Sequence, residues 1–156
     1  TLQPDFLLEL LSLARREQIH TCLETNGYIP AHILEKLLPF TDLFLLDYKL
    51  TDPAALQRHT KACGPLWEHT LDRLQEASKP VVLRLPIIPG INDVPEHISQ
   101  AALLAKTHSC ICKTEIMPYH SLGAGKWEEL GMTYALAGIT DPAPEQKRCW
   151  ESILHP

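Results

Sequence analysis

The stretch Leu43-Phe44-Leu45-Leu46-Asp47 decides the fold. Four consecutive large apolar residues predict a strand that is buried on both faces, as strands of parallel sheets are. Helical patterns flank it on both sides, with short helices predicted over 30–38 and 52–61. Strands that alternate with helices form βα units, whose strands are parallel and whose crossovers are right-handed. The stretch therefore predicts an α/β fold with a parallel sheet.

The same alternation extends in both directions along the chain. Further strands are predicted over 19–24, 81–86 and 111–117. Further helices are predicted over 4–16, 64–77, 95–106 and 142–154, with a loop region over 118–140. Apolar residues at helical spacing give the first helix one predicted core-facing side, formed by Phe6, Leu7, Leu10, Leu11 and Ala14. No linker or repeat divides the chain, which predicts a single domain over 1–156.

Composition and charge exclude several classes of protein. The 14 Lys and Arg against 19 Asp and Glu give a net charge of −5, which argues against a nucleic-acid binder with a basic face. No apolar run reaches the ~18–20 residues of a membrane span. The cysteine count is odd and no C-x-x-C pair occurs, which favours a reduced, cytoplasmic protein. We expect most thiols to be packed in the core, at Cys22, Cys63, Cys110, Cys112 and Cys149.

Polar residues follow each of the four predicted strands. They are Glu24-Thr25-Asn26, Asp47-Tyr48-Lys49, Arg84 and Tyr119-His120. Because sites form at the carboxyl ends of parallel strands, we expect these side chains to face one basin. Lys49 and Arg84 could neutralise a carboxylate there, while Glu24 and Asp47 could serve an ammonium, a hydroxyl pair or a cation. The mixture predicts a zwitterionic, carboxylate-bearing small molecule as ligand.

Each of these residues also has a structural interpretation. Asp47 and Lys49 could form an ion pair at the solvent, and Arg84 could be paired within the fold, because an unpaired charge in an apolar strand is costly. His120 could be an ordinary loop histidine, and the remaining histidines form no zinc-binding motif. A Schiff-base enzyme with Lys49 as nucleophile is a further hypothesis.

Five segments, in this order and at these spacings, resemble one known family. The segments are HTCLETNGY (20–28), TDLFLLDYK (41–49), VVLRLPIIPGIND (81–93), EIMPYHSLGAGKWEELG (115–131) and YALAG (134–138). Together they resemble the C-terminal two-thirds of the glycyl-radical-enzyme activases, radical S-adenosylmethionine (SAM) enzymes typified by pyruvate formate-lyase activating enzyme. The resemblance covers nearly all of 1–140.

The resemblance implies a fold, a reaction and a set of ligand contacts. The fold would be a partial parallel (β/α)6 barrel, of which the four strands here are the third to the sixth. A [4Fe–4S] cluster would bind SAM, and an electron would cleave SAM to a 5′-deoxyadenosyl radical that abstracts hydrogen from a glycine of a partner enzyme. The implied SAM-binding residues are Glu24, Thr25, Asn26, Asp47, Tyr48, Lys49, Arg84 and His120. Among these, Glu24, Thr25 and Asp47 match positions that hold a monovalent cation in some members.

The chain departs from the family in one large respect. It contains neither the cluster motif C-x-x-x-C-x-x-C nor the Gly-Gly-Glu-Pro turn that holds the SAM ammonium. We therefore expect the chain to begin just after that turn and to be a C-terminal part of the activase. Because Fe–S clusters need thiolate ligands, this part alone is expected to hold no cluster and to be inactive.

Partners are also implied by the resemblance. They are a glycyl radical enzyme, either formate acetyltransferase-like or dehydratase-like, and an electron donor such as flavodoxin. The alternative is a stand-alone α/β module that binds a nucleotide or a peptide without radical chemistry. In either case the strand over 19–24 would present an unpaired edge, through which we expect self-association.

Overall fold

The computed structural model describes residues 2–62 and 65–155. Within them, a four-stranded parallel sheet has the strand order β1-β2-β3-β4. The strands are β1 (Cys22–Thr25), β2 (Leu43–Asp47), β3 (Val81–Ile87) and β4 (Ile111–Pro118). The predicted α/β class with four parallel strands is confirmed, and β1 and β4 are the edges of the described sheet.

Helices connect the strands at the predicted places. They are α1 (Pro4–Arg16), α2 (Ala31–Leu37), α3 (Pro53–Thr60), α4 (Leu66–Glu76), α5 (Pro95–Thr107), α6 (Ala124–Glu129) and α7 (Pro144–Leu154). Asp52 caps α3 by accepting hydrogen bonds from Ala54 N and Ala55 N, both at 3.1 Å. The predicted start of α4 at Gly64 lies outside the described residues. The short helix α6 was not predicted, and it lies within the predicted loop region over 118–140.

The sheet of the described chain carries helices on one face. Alternate residues of β2 and β3 are fully buried against those helices, namely Phe44, Leu46, Leu83, Leu85 and Ile87. The intervening residues of β2, Leu43 and Leu45, are half-buried. The prediction that β2 is buried on both faces is therefore wrong for the described residues, because an apolar run does not reveal whether a second layer is present.

Helix α1 packs through a narrower side than predicted. Leu11 is buried, and Leu7 and Ala14 are half-buried, whereas Phe6 is 64% and Leu10 is 50% exposed. The predicted core-facing side is thus wrong for Phe6 and Leu10. None of the described helices is long and apolar enough to cross a membrane.

The cysteines are less buried than predicted. Cys110 is buried, but Cys22, Cys112 and Cys149 are exposed, and Cys63 lies outside the described residues. A register shift explains Cys112: Val81 pairs with Ile111 while Val82 pairs with Lys113, so the strand carries an extra residue there. Core packing of the thiols is therefore wrong for these three positions.

Candidate functional site

The parallel register aligns charged residues of three strands in one row across the sheet. Asp47 pairs with Arg84, and Arg84 pairs with Glu115. Paired residues of neighbouring strands point to the same side of a sheet, and side chains alternate along each strand. Because Leu46, Leu83 and Leu85 point to the helices, this charged row lies on the other side. We call that side, with Glu24 of β1, the open face.

Arg84 is the most buried charged side chain of the row. Its side chain is 15% exposed, and Nη1 lies 2.8 Å from Oε1 of Glu24, whose own side chain is 63% exposed. Nη2 lies 3.5 Å from Sδ of Met117. The buried Nε atom has no hydrogen-bond acceptor among the described residues. A buried guanidinium donor without a partner is unfavourable in the fold, and an anion could supply the missing acceptor.

Asp47 and Lys49 form a second ion pair beside it. Nζ of Lys49 lies 3.6 Å from Oδ2 of Asp47, and the two side chains are 39% and 17% exposed. Burial raises the pKa of Asp47, and the nearby positive charges of Lys49 and Arg84 oppose that rise. The Lys49 ammonium is open to solvent and is only loosely held by its partner, so it can also contact a ligand.

The backbone around Asp47 is fixed from the helix side. Nε1 of Trp67 donates to the Asp47 carbonyl at 2.8 Å. Gly27 makes this possible: its φ is +78°, and a Cβ there would lie 2.4 Å from Cδ1 of Trp67. The Tyr48 amide donates to the Arg84 carbonyl at 2.8 Å, which extends the pairing of β2 and β3 past Asp47.

Of the other four predicted residues, Thr25 and Tyr48 lie on the helix side of the sheet. The Thr25 side chain points to the helix side and accepts from Gly27 N at 3.1 Å, while Asn26 Oδ1 accepts from Tyr28 N at 3.1 Å. The Tyr48 ring is buried on the helix side, 4.9 Å from Trp67 between ring centroids. His120 is exposed after β4, and its imidazole makes no hydrogen bond or ion pair with another described residue.

Two buried polar residues near the site were missed by the sequence reasoning. Asn92 is 3% exposed and donates to the Lys49 carbonyl, and His97 is 2% exposed and contacts Thr51. For Asn92 the signal was present, because an amide follows the turn-forming Pro89-Gly90 in a loop whose other residues, apart from Asp93, are apolar or glycine. For His97 there was none, since one histidine in an amphipathic helix is unremarkable.

A mostly apolar pocket adjoins Lys49. It is a partly open cleft of about 460 Å³ between the loop after β3 and the segment 127–139. Its lining includes Leu50, Ile88, Ile91, Trp127, Tyr134 and Leu136. Charged groups at the rim of an apolar pocket suit a ligand that carries both a charged end and a flat, less polar end.

A comparison with protein families gives a match over residues 1–102, to the model described as the radical SAM superfamily. The chain belongs to the radical SAM superfamily. The match spans β1, β2, β3 and most of α5, and so includes Glu24, Asp47, Lys49 and Arg84.

Relatives of this radical SAM chain are activating enzymes. It is 35% identical over 161 residues to the pyruvate formate-lyase-activating enzyme of Streptococcus mutans, covering 99% of this chain and 61% of the relative. It is 33% identical over 153 residues to that of Clostridium pasteurianum (98% and 64%). It is 36% identical over 155 residues to the indoleacetate decarboxylase activating enzyme of Tractidigestivibacter scatoligenes (98% and 49%). The chain thus spans between about half and two thirds of the length of these relatives.

Solved structures show the same fold. A domain of pyruvate-formate lyase-activating enzyme from Bacteroides vulgatus superposes with a TM-score of 0.76 at 21% identity, covering 98% of this chain and 86% of that domain. TYW1, in a structure with a lysine-pyruvate adduct bound, superposes with a TM-score of 0.66 at 14% identity, covering 96% of this chain and 44% of the other. The predicted four-stranded part of a radical SAM barrel is confirmed.

Membership in the superfamily implies SAM as a ligand, and the residues of the open face fit it. The Nε atom of Arg84 is a buried donor without an acceptor, and Lys49 carries a solvent-accessible ammonium. Both suit the methionine carboxylate of SAM, and the Asp47 carboxylate suits its hydroxyls. The apolar pocket beside Lys49 is large enough for a nucleoside.

The superfamily also implies an iron–sulfur cluster, and the described residues do not fit one. No group of three or more His, Cys, Asp or Glu side chains in the described ranges could hold a metal ion. Cys22 and Cys112 lie at the amino ends of their strands, Cys110 precedes β4, and Cys149 lies on α7. The thiols of the described residues are therefore spread over the structure rather than gathered at the open face.

Proposed function

We propose that this chain is the SAM-binding C-terminal part of a glycyl-radical-enzyme activase. The complete enzyme cleaves SAM reductively to a 5′-deoxyadenosyl radical, which abstracts hydrogen from a glycine of a partner enzyme. Support comes from the superfamily match and from relatives that are themselves activating enzymes. The observation that carries the proposal is the convergence of Lys49, Asp47 and Arg84 on one face, with an unpaired guanidinium donor among them.

In this proposal each charged residue has one task. The Lys49 ammonium and the Arg84 guanidinium bind the methionine carboxylate, which supplies the acceptor that Arg84 Nε lacks in the fold. The Asp47 carboxylate accepts hydrogen bonds from the ribose hydroxyls. Glu24 balances the charge of Arg84 through the ion pair at 2.8 Å. His120 closes the far side of the ligand from the loop after β4.

The remaining predicted contacts lie around these charged residues. Asn26 lines a small cleft together with Asp47 and Lys49, and Tyr48 supports the site from the helix side. A monovalent cation beside Glu24, Thr25 and Asp47 would compete with Arg84 for the Glu24 carboxylate. A dependence of SAM affinity on potassium, at constant ionic strength, is the test of that cation.

The chain's share of the reaction is to bind and orient SAM. When bound, a [4Fe–4S] cluster would supply the electron, but the described residues do not fit it. We propose that the chain alone is inactive. We further propose a formate acetyltransferase-like or dehydratase-like glycyl radical enzyme as its partner and a flavodoxin-type protein as electron donor. Self-association through the β1 edge remains a prediction for the chain on its own.

The direct test uses the full-length protein that carries this chain, purified without oxygen and reduced with dithionite. We expect it to convert SAM into 5′-deoxyadenosine and methionine, and expect Lys49→Ala to reduce that conversion. The matched control is Lys36→Ala, which removes an exposed lysine of α2. Absence of 5′-deoxyadenosine under these conditions, with an intact cluster, would contradict the proposal.

A second candidate function is a module that binds a nucleotide or a peptide without radical chemistry. The observation in its favour is that the described cysteines form no cluster site. It predicts that the chain binds SAM and S-adenosylhomocysteine equally and cleaves neither. Formation of 5′-deoxyadenosine would exclude it.

A further inference from the structure

Lys49 lies in a turn between β2 and α3 that is tied to the rest of the protein by buried side chains. The first tie is Asn92, which lies in the loop after β3. Its Nδ2 donates to the Lys49 carbonyl at 2.7 Å and to the Pro86 carbonyl at 2.6 Å. Its Oδ1 accepts from Ile88 N at 2.7 Å. One buried amide thus joins the carboxyl ends of β2 and β3.

The second tie passes through the hydroxyl of Thr51. That hydroxyl lies 2.9 Å from the Tyr48 hydroxyl and 2.8 Å from Nδ1 of His97. The rings of Tyr48 and His97 stack with 5.0 Å between centroids and 17° between planes. Tyr48 and Thr51 flank Lys49 on either side, so both ends of the turn are joined to α5.

Both ties depend on buried polar side chains, and burying a polar group costs free energy. Asn92 and His97 are almost fully buried, and Nε2 of His97 has no hydrogen-bond partner among the described residues. Leaving such an atom unpaired is unfavourable. The proton therefore belongs on Nδ1, where it can be donated to Thr51, because an unpaired acceptor costs less than an unpaired donor. Apolar side chains would fill the same space at a lower cost in free energy. They could not hydrogen-bond to the turn, however, and so could not fix it.

We infer that Asn92, Thr51 and His97 are positioning residues, which hold the turn 48–51 so that the Lys49 ammonium is presented to the carboxylate of a bound ligand. The inference rests on the proposed function for the identity of that ligand, SAM. Lysine is a flexible side chain, and fixing its backbone reduces the entropy that binding would otherwise cost. The 3.6 Å separation from Asp47 leaves the ammonium free to move to the ligand.

The test uses Thr51, because Asn92→Ala would leave three backbone groups unpaired and could prevent folding. Thr51 is exposed and similar in shape to valine, so Thr51→Val removes the hydroxyl without overpacking. Thr51→Ser restores the hydroxyl, and Thr107→Val removes a threonine hydroxyl of α5 far from the turn. In the full-length protein, SAM affinity is measured by calorimetry and amide exchange of 48–51 by mass spectrometry.

We expect Thr51→Val to weaken SAM binding about fivefold and Thr51→Ser to bind SAM like the wild type. Amide exchange of 48–51 should accelerate in Thr51→Val alone. In a Lys49→Ala background Thr51→Val should cause no further loss, because its effect passes through Lys49. A loss that persists in that background, or an unchanged affinity in Thr51→Val, would overturn the inference.

The exchange measurement separates this inference from the proposed function. If no variant and no wild-type protein binds SAM, the proposed function fails. The positioning of the turn is then still decided by exchange: acceleration in Thr51→Val that Thr51→Ser reverses supports it, and equal exchange in all variants overturns it.

Discussion

The two faces of the described sheet differ although the same strands form both. On the helix-covered face, Leu46, Leu83 and Leu85 are fully buried and apolar. On the open face, one residue further along each strand, Asp47 and Arg84 form part of a charged row. Because side chains alternate along each strand, the residues of one face stabilise the fold and those of the other face can bind a ligand. Changes on the covered face should affect folding, and changes on the open face should affect the ligand.

The largest expected effect compares two adjacent leucines of β2. Leu46→Ala, on the covered face, should lower the free energy of unfolding by about 3–4 kcal/mol, because it leaves a cavity in the core. Leu45→Ala, on the open face, should cost about half of that or less, since Leu45 is half-buried. Urea denaturation measures both. If both variants lose the same free energy of unfolding, the open face is covered as completely as the helix-covered face.

The second largest effect is a loss of stability at low pH that is caused by the burial of His97. Burial lowers the pKa of His97 to about 4, from an ordinary value of 6.5. A folded-state pKa below the unfolded value gives stability that is present above about pH 6.5 and is lost as pH falls towards about 4. The lost contribution is of the order of 3 kcal/mol.

Urea denaturation between pH 7 and pH 4.5 measures that loss, and His97→Asn should flatten the pH dependence. The control His32→Asn changes an exposed histidine and should leave the slope unchanged. A slope in His97→Asn equal to that of the wild type would show that other groups cause the loss.

The smallest expected effect lies within the open face itself. Arg84→Met removes a positive charge that now lowers the pKa of Asp47, so that pKa should rise further. The control is Lys113→Met, which removes a cation of the same face that is paired with Glu115. Titration of the Asp47 carboxyl by carbon-13 NMR measures both variants. If the pKa of Asp47 falls or stays constant in Arg84→Met, the charge of Arg84 does not lower it. The two ion pairs of the open face are then independent of each other.

The sequence predicts what is local and misses what is distant. The apolar run of β2 and the charges that follow it predicted the strand and the positions of Asp47, Lys49 and Arg84. Alternation along β1 places Thr25 and Glu24 on opposite faces, but only the pairing of the strands shows which of the two lies on the face of Asp47 and Arg84. Nor could it show the tie between Thr51 and His97, which are 46 positions apart.

The covered and exposed sides of α1 illustrate the same limit. Helical spacing indicated an apolar side with Phe6 and Leu10 in it, yet both are exposed, while Leu11 packs against its neighbours. Spacing defines a stripe on a helix, but the width of the stripe that is buried depends on which elements pack against it.

The measurement that tests the central claim most directly is SAM affinity in Lys49→Ala, by calorimetry on the full-length protein. Removal of the charge-assisted hydrogen bond should weaken binding by roughly 1.5–3 kcal/mol, while the exposed-lysine control Lys36→Ala should bind like the wild type. Unchanged SAM affinity in Lys49→Ala would show that the open face is not the SAM site, and would contradict the account.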